Sequence, residues 1–306
     1  MLATNLTELI WNDDLCGLLR LCDTDERVLK HGSDYDRFLA VCKALPLLQG
    51  HPLPSTLKCF LKERFDVALP TTSEQAAQIW RVVAQKLLET PVTVGDVIPA
   101  PQSAEAFVLP PLKTAKTLSF LQADALIDTA ATSWQAWERK LQAALHDAKK
   151  QKKCHIKFFL SNEVSKQKPS LFHVNLTLQA IQKTYSDIAL LHAQLFRFLC
   201  IECQKRNMTL IMYVDPACID AVRFLERMEA TVGLARILAV TQSQNTRNYL
   251  LDFAKCNHQN HLKLAIDRSH YPSQTAFERE VTDIAKIYPL GRLTVIDGDV
   301  LQAFEQ

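Results

Sequence analysis

The hydrophobic period of this chain changes once, near residue 106, and that switch limits the folds open to it more than any other feature. Before it, apolar residues recur only at helical spacing. Asp34 to Leu48 carries Phe38, Leu39, Val41, Cys42 and Leu45 on one stripe. Thr72-Ser-Glu-Gln75 reads as a capping box, opening a helix whose buried stripe is Ala76, Ile79, Trp80, Val83 and Leu87 and which Pro91 stops. Pro99-Ala-Pro-Gln-Ser-Ala104 reads as a linker, because two prolines and small polar residues neither continue a helix nor pair in a sheet. Beyond it, short apolar runs alternate with long amphipathic segments. Strands are predicted at 106–109, 154–160, 209–214, 236–240, 262–266 and 293–296, and helices at 133–150, 187–206, 216–228, 246–256 and 274–287.

Strand, helix, strand at this spacing requires parallel crossovers, so a parallel sheet covered by helices follows, either open and doubly wound or closed into a barrel. Periodicity does not separate the two. With seven glycines and neither G-x-G-x-x-G nor G-x-x-x-x-G-K, the phosphate cradles common in open sheets are missing, which favours the barrel. The expectation is an α/β chain with a helical subdomain over 1–98 and a barrel-like domain over 99–306. The latter would be an incomplete TIM barrel of the (β/α)8 type, with about six strands and an exposed sheet edge through which a homo-oligomer could form.

Thirty-five basic residues against thirty-three acidic ones leave almost no net field, so neither nucleic acid nor an anionic membrane is selected by overall charge. The basic run Lys149 to Lys153 falls at a helix end, where cations complement the dipole, and no aromatic platform for stacking bases accompanies it. No apolar run approaches the roughly 20 residues that span a bilayer, and Met1 to Trp11 lacks the marks of a signal peptide. A cytoplasmic chain is expected. Nine scattered cysteines fit reduced thiols, with Cys200 and Cys203 as packed helix residues.

The helical segment is similar to the one that uronate (glucuronate) isomerases insert near the start of their barrel. The resemblance is carried by Asn5-Leu-Thr-Glu-Leu-Ile-Trp11, Asp36-Arg-Phe38, Gly50-His-Pro-Leu53 with Leu57-Lys-Cys-Phe-Leu-Lys62, and Ser73-Glu-Gln-Ala-Ala-Gln-Ile-Trp80, in the same order and at the same spacing. It continues more weakly through Val108-Leu-Pro110, Asn245-Thr-Arg247, Phe277-Glu-Arg-Glu280 and Pro289 to Asp299. The resemblance implies an amidohydrolase-like barrel that holds a divalent cation and interconverts an aldose and a ketose uronate.

The ligands this implies are not matched. The H-x-H pair would precede these helices, and the chain opens at Met1 within the segment that follows it, so both imidazoles are expected to be missing. Where the family carries a strand-end aspartate and histidine the chain has Phe158 and Phe159, and a further histidine falls at Tyr213. After V-L-P, Pro111 to Lys113 replaces a tryptophan and an arginine, so one ammonium stands for a planar fork. Asp299, with Asp297, remains of the aspartate motif, and one carboxylate does not hold a cation tightly. The expectation is a noncatalytic homologue without a metal cofactor, binding a uronate, another sugar acid or a protein partner through Lys113, Arg247, Asp267 and His270. The rivals are an active isomerase with a rearranged site and a truncated product that retains the fold alone.

Read without the resemblance, Asp215 is expected to cap a helix starting at Pro216, and Asp297-Gly298 to form a turn. Asp267 and His270 are the least trivial pair, since an aspartate can orient a histidine for proton transfer. His51 reads as a turn residue and His258 with His261 as a helix terminus.

Overall fold

The structure, a computed structural model, describes residues 3, 5–92, 109–117, 120–256 and 261–304, with the side chains of 114–117 left aside. The linker expected at 99–104, most of the strand expected at 106–109, and His258 lie outside these residues.

The first part is helical throughout: α1 (Leu6–Ile10), α2 (Asp13–Leu21), α3 (Glu26–His31), α4 (Asp34–Ala44), α5 (Pro52–Phe65) and α6 (Ser73–Glu89). Their starts follow the side-chain chemistry of the chain. Asn5, Asn12, Asp25, Ser33 and Thr72 each accept a first-turn N–H, and Ser33 with Asp36 completes a reciprocal box. The box expected at Thr72 forms only in part, because Gln75 accepts from Thr71 rather than from Thr72. These helices enclose their own core, built on Leu19, Phe38, Val41, Leu57, Phe60, Leu61 and Val83.

Two strands, β1 (Leu112–Thr117) and β2 (Phe120–Gln122), come next. Helix and strand then alternate through α7 (Trp134–Lys150), β3 (His155–Leu160), α8 (Asn162–Lys166), α9 (Leu171–Gln179), α10 (Tyr185–Arg206), β4 (Thr209–Val214), α11 (Ala221–Val232), β5 (Arg236–Val240), α12 (Gln244–Cys256), β6 (Leu262–Asp267) and α13 (Gln274–Ala285), and β7 (Thr294–Asp297) and β8 (Val300–Phe304) close the order. The sheet has eight strands in the order β1-β8-β7-β6-β5-β4-β3-β2. From β2 to β7 all neighbours are parallel, as expected, while β8 is antiparallel to both β7 and β1.

Eight strands replace the six expected, and the two at the ends of the sheet explain its shape. Thr117 and Phe120 are three residues apart, so the ends of β1 and β2 are at most about 11 Å apart. A sheet whose first and last strands are consecutive in the chain has to curl, and this one forms a half-barrel. The outermost strands of the sheet, β1 and β2, are six and three residues long.

Alternation along each strand separates two faces. Ile156, Phe158, Leu160, Leu210, Met212, Ile237, Ala239, Leu264 and Val295 point outward into the core beneath the helices. Ile211, Val240, Ala265 and Ile296 point inward and pack with Phe120, Tyr213, Leu238 and Leu301 inside the curl. The helical segment meets the start of the sheet at Asp23, which takes Arg292 and Lys263 as ion partners, while Arg292 also donates to the Cys22 carbonyl at 3.1 Å.

Cys200 and Cys203 are both buried in α10 and unpaired, as packed helix residues are. Asp215 caps no helix. It accepts from the Ala217 N–H at 2.9 Å in a local turn, and α11 starts five residues later than expected, at Ala221. Among the described residues no helix is long and apolar enough to cross a membrane.

His51, expected in a turn, is the N-cap of α5, where its Nδ1 accepts from the Leu53 N–H at 3.1 Å. Burial, assisted by the Lys255 ammonium, lowers its pKa to about 4 from an ordinary 6.5. An unfolded chain therefore takes up a proton near pH 6.5 that the folded one refuses until about pH 4, so the contribution of His51 is complete above 6.5 and is lost as pH falls through that window. It is on the order of 2 kcal/mol once solvent screening of the part-exposed ring is allowed for. Denaturant titrations at pH 7 and pH 4.5 should show that difference, and His51→Asn, which keeps a cap acceptor that does not titrate, should flatten it.

Candidate functional site

At the C-terminal ends of the parallel strands the curl opens into a cavity of about 330 Å³. This lies at the small end of the roughly 300–1,000 Å³ usual for small-molecule sites, and on the sheet face where barrels carry chemistry. Its wall is built by strand periodicity. On β3 the inward residues are Lys157 and Phe159, on β4 Tyr213, and the residues following β5 and β6 add Thr241, Gln242 and His270. Gln122 from the end of β2 and Asp124 just beyond it complete the rim.

The polar groups are held in a specific arrangement. The Tyr213 hydroxyl donates to Asp267 Oδ2 at 2.8 Å, while Asp267 Oδ1 accepts from the Ser269 N–H at 3.0 Å and the Ser269 hydroxyl at 2.6 Å. Burial, followed by the carboxylate it donates to, pushes the Tyr213 phenol well above its usual range, so it stays a donor. His270 lies edge-on to the Tyr213 ring, with centroids 6.0 Å apart. The Lys157 ammonium sits 4.1 Å from the centre of the Phe120 ring, a cation–π contact, and makes no ion pair among the described residues. Behind the rim, His192 lies 3.4 Å from Asp124 and edge-on to Phe158, and burial lowers its pKa against the pull of that carboxylate.

Of the residues expected to bind substrate, Asp267 and His270 come together at the mouth, although Asp267 orients Tyr213 and Ser269 rather than the imidazole. Arg247 is elsewhere. It is 5% exposed and paired with Glu280 of α13, which makes it part of the helix layer. Lys113 is also remote, since β1 pairs it with Ala303, and Ala303 pairs with Thr294 at the opposite end of β7. Asp299 occupies the two-residue turn joining β7 to β8, where Gly298 takes φ +60° at the first central position as a primed hairpin turn requires. The segment expected to lead out of a last barrel strand instead doubles back. Phe158 and Phe159 part company as well: the Phe158 ring packs outward on Phe196 with ring centres 4.9 Å apart, whereas Phe159 stands 49% exposed at the mouth.

The divalent cation implied by the resemblance does not fit this donor set. Asp267 already accepts on both oxygens, His270 is the single imidazole beside it, and among the described residues no three metal-ligating side chains converge.

Sequence reasoning singled out Tyr213 and Phe159 only through the resemblance and missed Gln122, Thr241 and Gln242. The signal available for Lys157 and Phe159 was their common parity on a six-residue strand, which places both on one face.

No family model matches the chain, and no curated protein matches it either. A solved structure of uronate isomerase from Thermotoga maritima is similar at a TM-score of 0.47 and 13% identity, over 94% of this chain and 76% of the other. At that level the likeness bears on neither activity nor residue roles.

Breaking the Arg247–Glu280 pair tests the structural placement of Arg247. Glu280→Ala leaves a buried guanidinium without its counter-ion and should cost about 3 kcal/mol in urea unfolding, with small-molecule binding at the mouth unchanged.

Proposed function

We propose that this chain is a noncatalytic, uronate isomerase-like protein whose half-barrel mouth binds a small sugar acid. The observation that carries the reading is the pairing pattern at the mouth. Asp267 is satisfied internally, whereas Lys157, held over the Phe120 face, has no carboxylate partner among the described residues and is available to an anionic group. The half-exposed Phe159 ring offers a face to the apolar side of a sugar, and Thr241, Gln122 and Gln242 offer donors and acceptors to its hydroxyls. The run of short matches along the helical segment favours a uronate over other small acids.

The absence of turnover follows from the same groups. Aldose–ketose isomerisation needs a base beside the substrate carbon and an electrophile that polarises the carbonyl. Tyr213 is committed as a donor to Asp267, and Asp267 is spent on Tyr213 and Ser269. A rearranged isomerase would have to draw its base from His270, whose contact is with the Tyr213 ring rather than with a carboxylate, or from the rim, where Asp124 is already paired with His192 at 3.4 Å.

Titration calorimetry with glucuronate and galacturonate should give binding that Lys157→Met weakens by about ten-fold or more, the loss of one charge-assisted contact. Glucose should bind more weakly than either acid. Appearance of the ketose product with purified protein, with or without added divalent metal, would sink the noncatalytic reading.

A further inference from the structure

The segment between β3 and α10 carries more apolar side chain into water than a folded surface usually tolerates. Leu171, Phe172 and Leu176 of α9, Ile181 in the turn after it and Tyr185 at the start of α10 are 51%, 69%, 51%, 101% and 69% exposed. The opposite side of α9 is apolar too, with Val174 and Leu178 buried in the core. Apolar side chains thus stand on both sides of α9, among His173, Asn175, Thr177 and Gln179, and those on the outer side are uncovered.

Its position is defined by the fold. The segment leaves the C-terminal end of β3, so it stands at the same end of the sheet as the mouth. It is anchored there by Arg227, which donates to the Ser165 carbonyl, by the Cys218 thiol on the Ser161 carbonyl at 3.8 Å, and by the Trp134 N–H on the Asn175 side chain at 2.7 Å. Ile219, in the turn after β4, is 83% exposed at the same end.

Charge decides what could cover this surface. Between Glu163 and Asp187 there is no carboxylate, while Lys166, Lys168, His173 and Lys183 all fall there. Glu163 neutralises Lys166 at 3.0 Å, and Lys183 donates to the Ala180 carbonyl at 3.1 Å within the field of Asp187, while Lys168 is exposed with no ion pair among the described residues; the segment keeps a small excess of cations beside the apolar residues. A second copy of this chain docking through the same patch would bring two sets of these lysines into one interface, with no carboxylate of the segment between Glu163 and Asp187 to meet them. Ile181, the most exposed of these residues, projects fully rather than lining a groove. Protruding apolar side chains flanked by lysines fit the interface of an anionic bilayer, with Ile, Phe and Leu below the headgroups and the ammonium groups among them.

We propose that the α9 segment is a peripheral membrane-docking surface selective for anionic lipid, which presents the mouth end of the half-barrel to the bilayer. The near-zero net charge of the whole chain had argued against a membrane partner, but it averages over faces and hides this local excess. The proposal is independent of what the cavity binds.

Flotation of the full chain with phosphatidylcholine vesicles, with and without phosphatidylglycerol, tests it. Binding is expected to the mixed vesicles only and should fade with added salt. Lys168→Glu and Lys183→Glu should each weaken it by about five-fold or more. Phe172→Ser combined with Ile181→Ser should weaken it at least about ten-fold while far-ultraviolet circular dichroism and calorimetric binding of glucuronate stay as in the parent. Failure to float with mixed vesicles overturns the proposal. So does equal binding by the Phe172→Ser/Ile181→Ser variant, or a concentration-dependent dimer in sedimentation that this variant abolishes.

Discussion

The curl of the sheet depends on one run of chain having to serve two partners. Residues 112–117 are paired to β8 and residues 120–122 to β3, so the stretch from Leu112 to Gln122 bridges strands that stand at opposite ends of the sheet order. With β8 and β3 tied to the same run of eleven residues, the strands between them cannot lie flat. The inward row of Ile211, Val240, Ala265 and Ile296 fills the concavity that results, and their small to medium size leaves the upper end open. The cavity, the convergence of Tyr213 with Asp267, and the placement of Lys157 over Phe120 all follow from that curvature.

The five strands β3 to β7 were legible in the sequence because each is a continuous apolar or alternating run between amphipathic helices. Their observed limits differ from the expected ones by one residue at most over β3 to β7. The strands that close the curl were not legible, for a physical reason. Leu112-Lys-Thr-Ala-Lys-Thr117 holds two lysines and two threonines and has almost no apolar signal, β2 is three residues long, and β8 is recognisable only if Gly298-Asp299 is read as a hairpin rather than as a loop. Six strands were therefore expected and eight formed. The helical segment was read more fully, since caps such as Ser33 and Thr72 are local chemistry that needs no tertiary context.

The site was legible in part. Asp267 and His270 were found from position alone, at the end of a strand. Their partners were not, because the contact that organises them, Tyr213 to Asp267, joins residues 54 apart in the chain. Arg247, expected to bind through the resemblance carried by Asn245-Thr-Arg247, has a structural partner instead. Its helix turns it inward to Glu280, and a buried guanidinium paired in a helix layer serves the fold. The polar core of the mouth is thus small, and the exposed apolar surface beside it is larger than anything net charge or average composition would suggest.

The β7–β8 hairpin has a practical corollary. Because β8 runs against its neighbours, Phe304 ends level with Leu112, at the far pole from the cavity. A fluorophore or affinity handle attached at the exposed Ala303 beside it would be tethered away from both the ligand entrance and the greasy helix next to that entrance. An immobilised sample captured through such a handle would hold those two surfaces toward the solution, which suits sensor-chip and supported-bilayer formats.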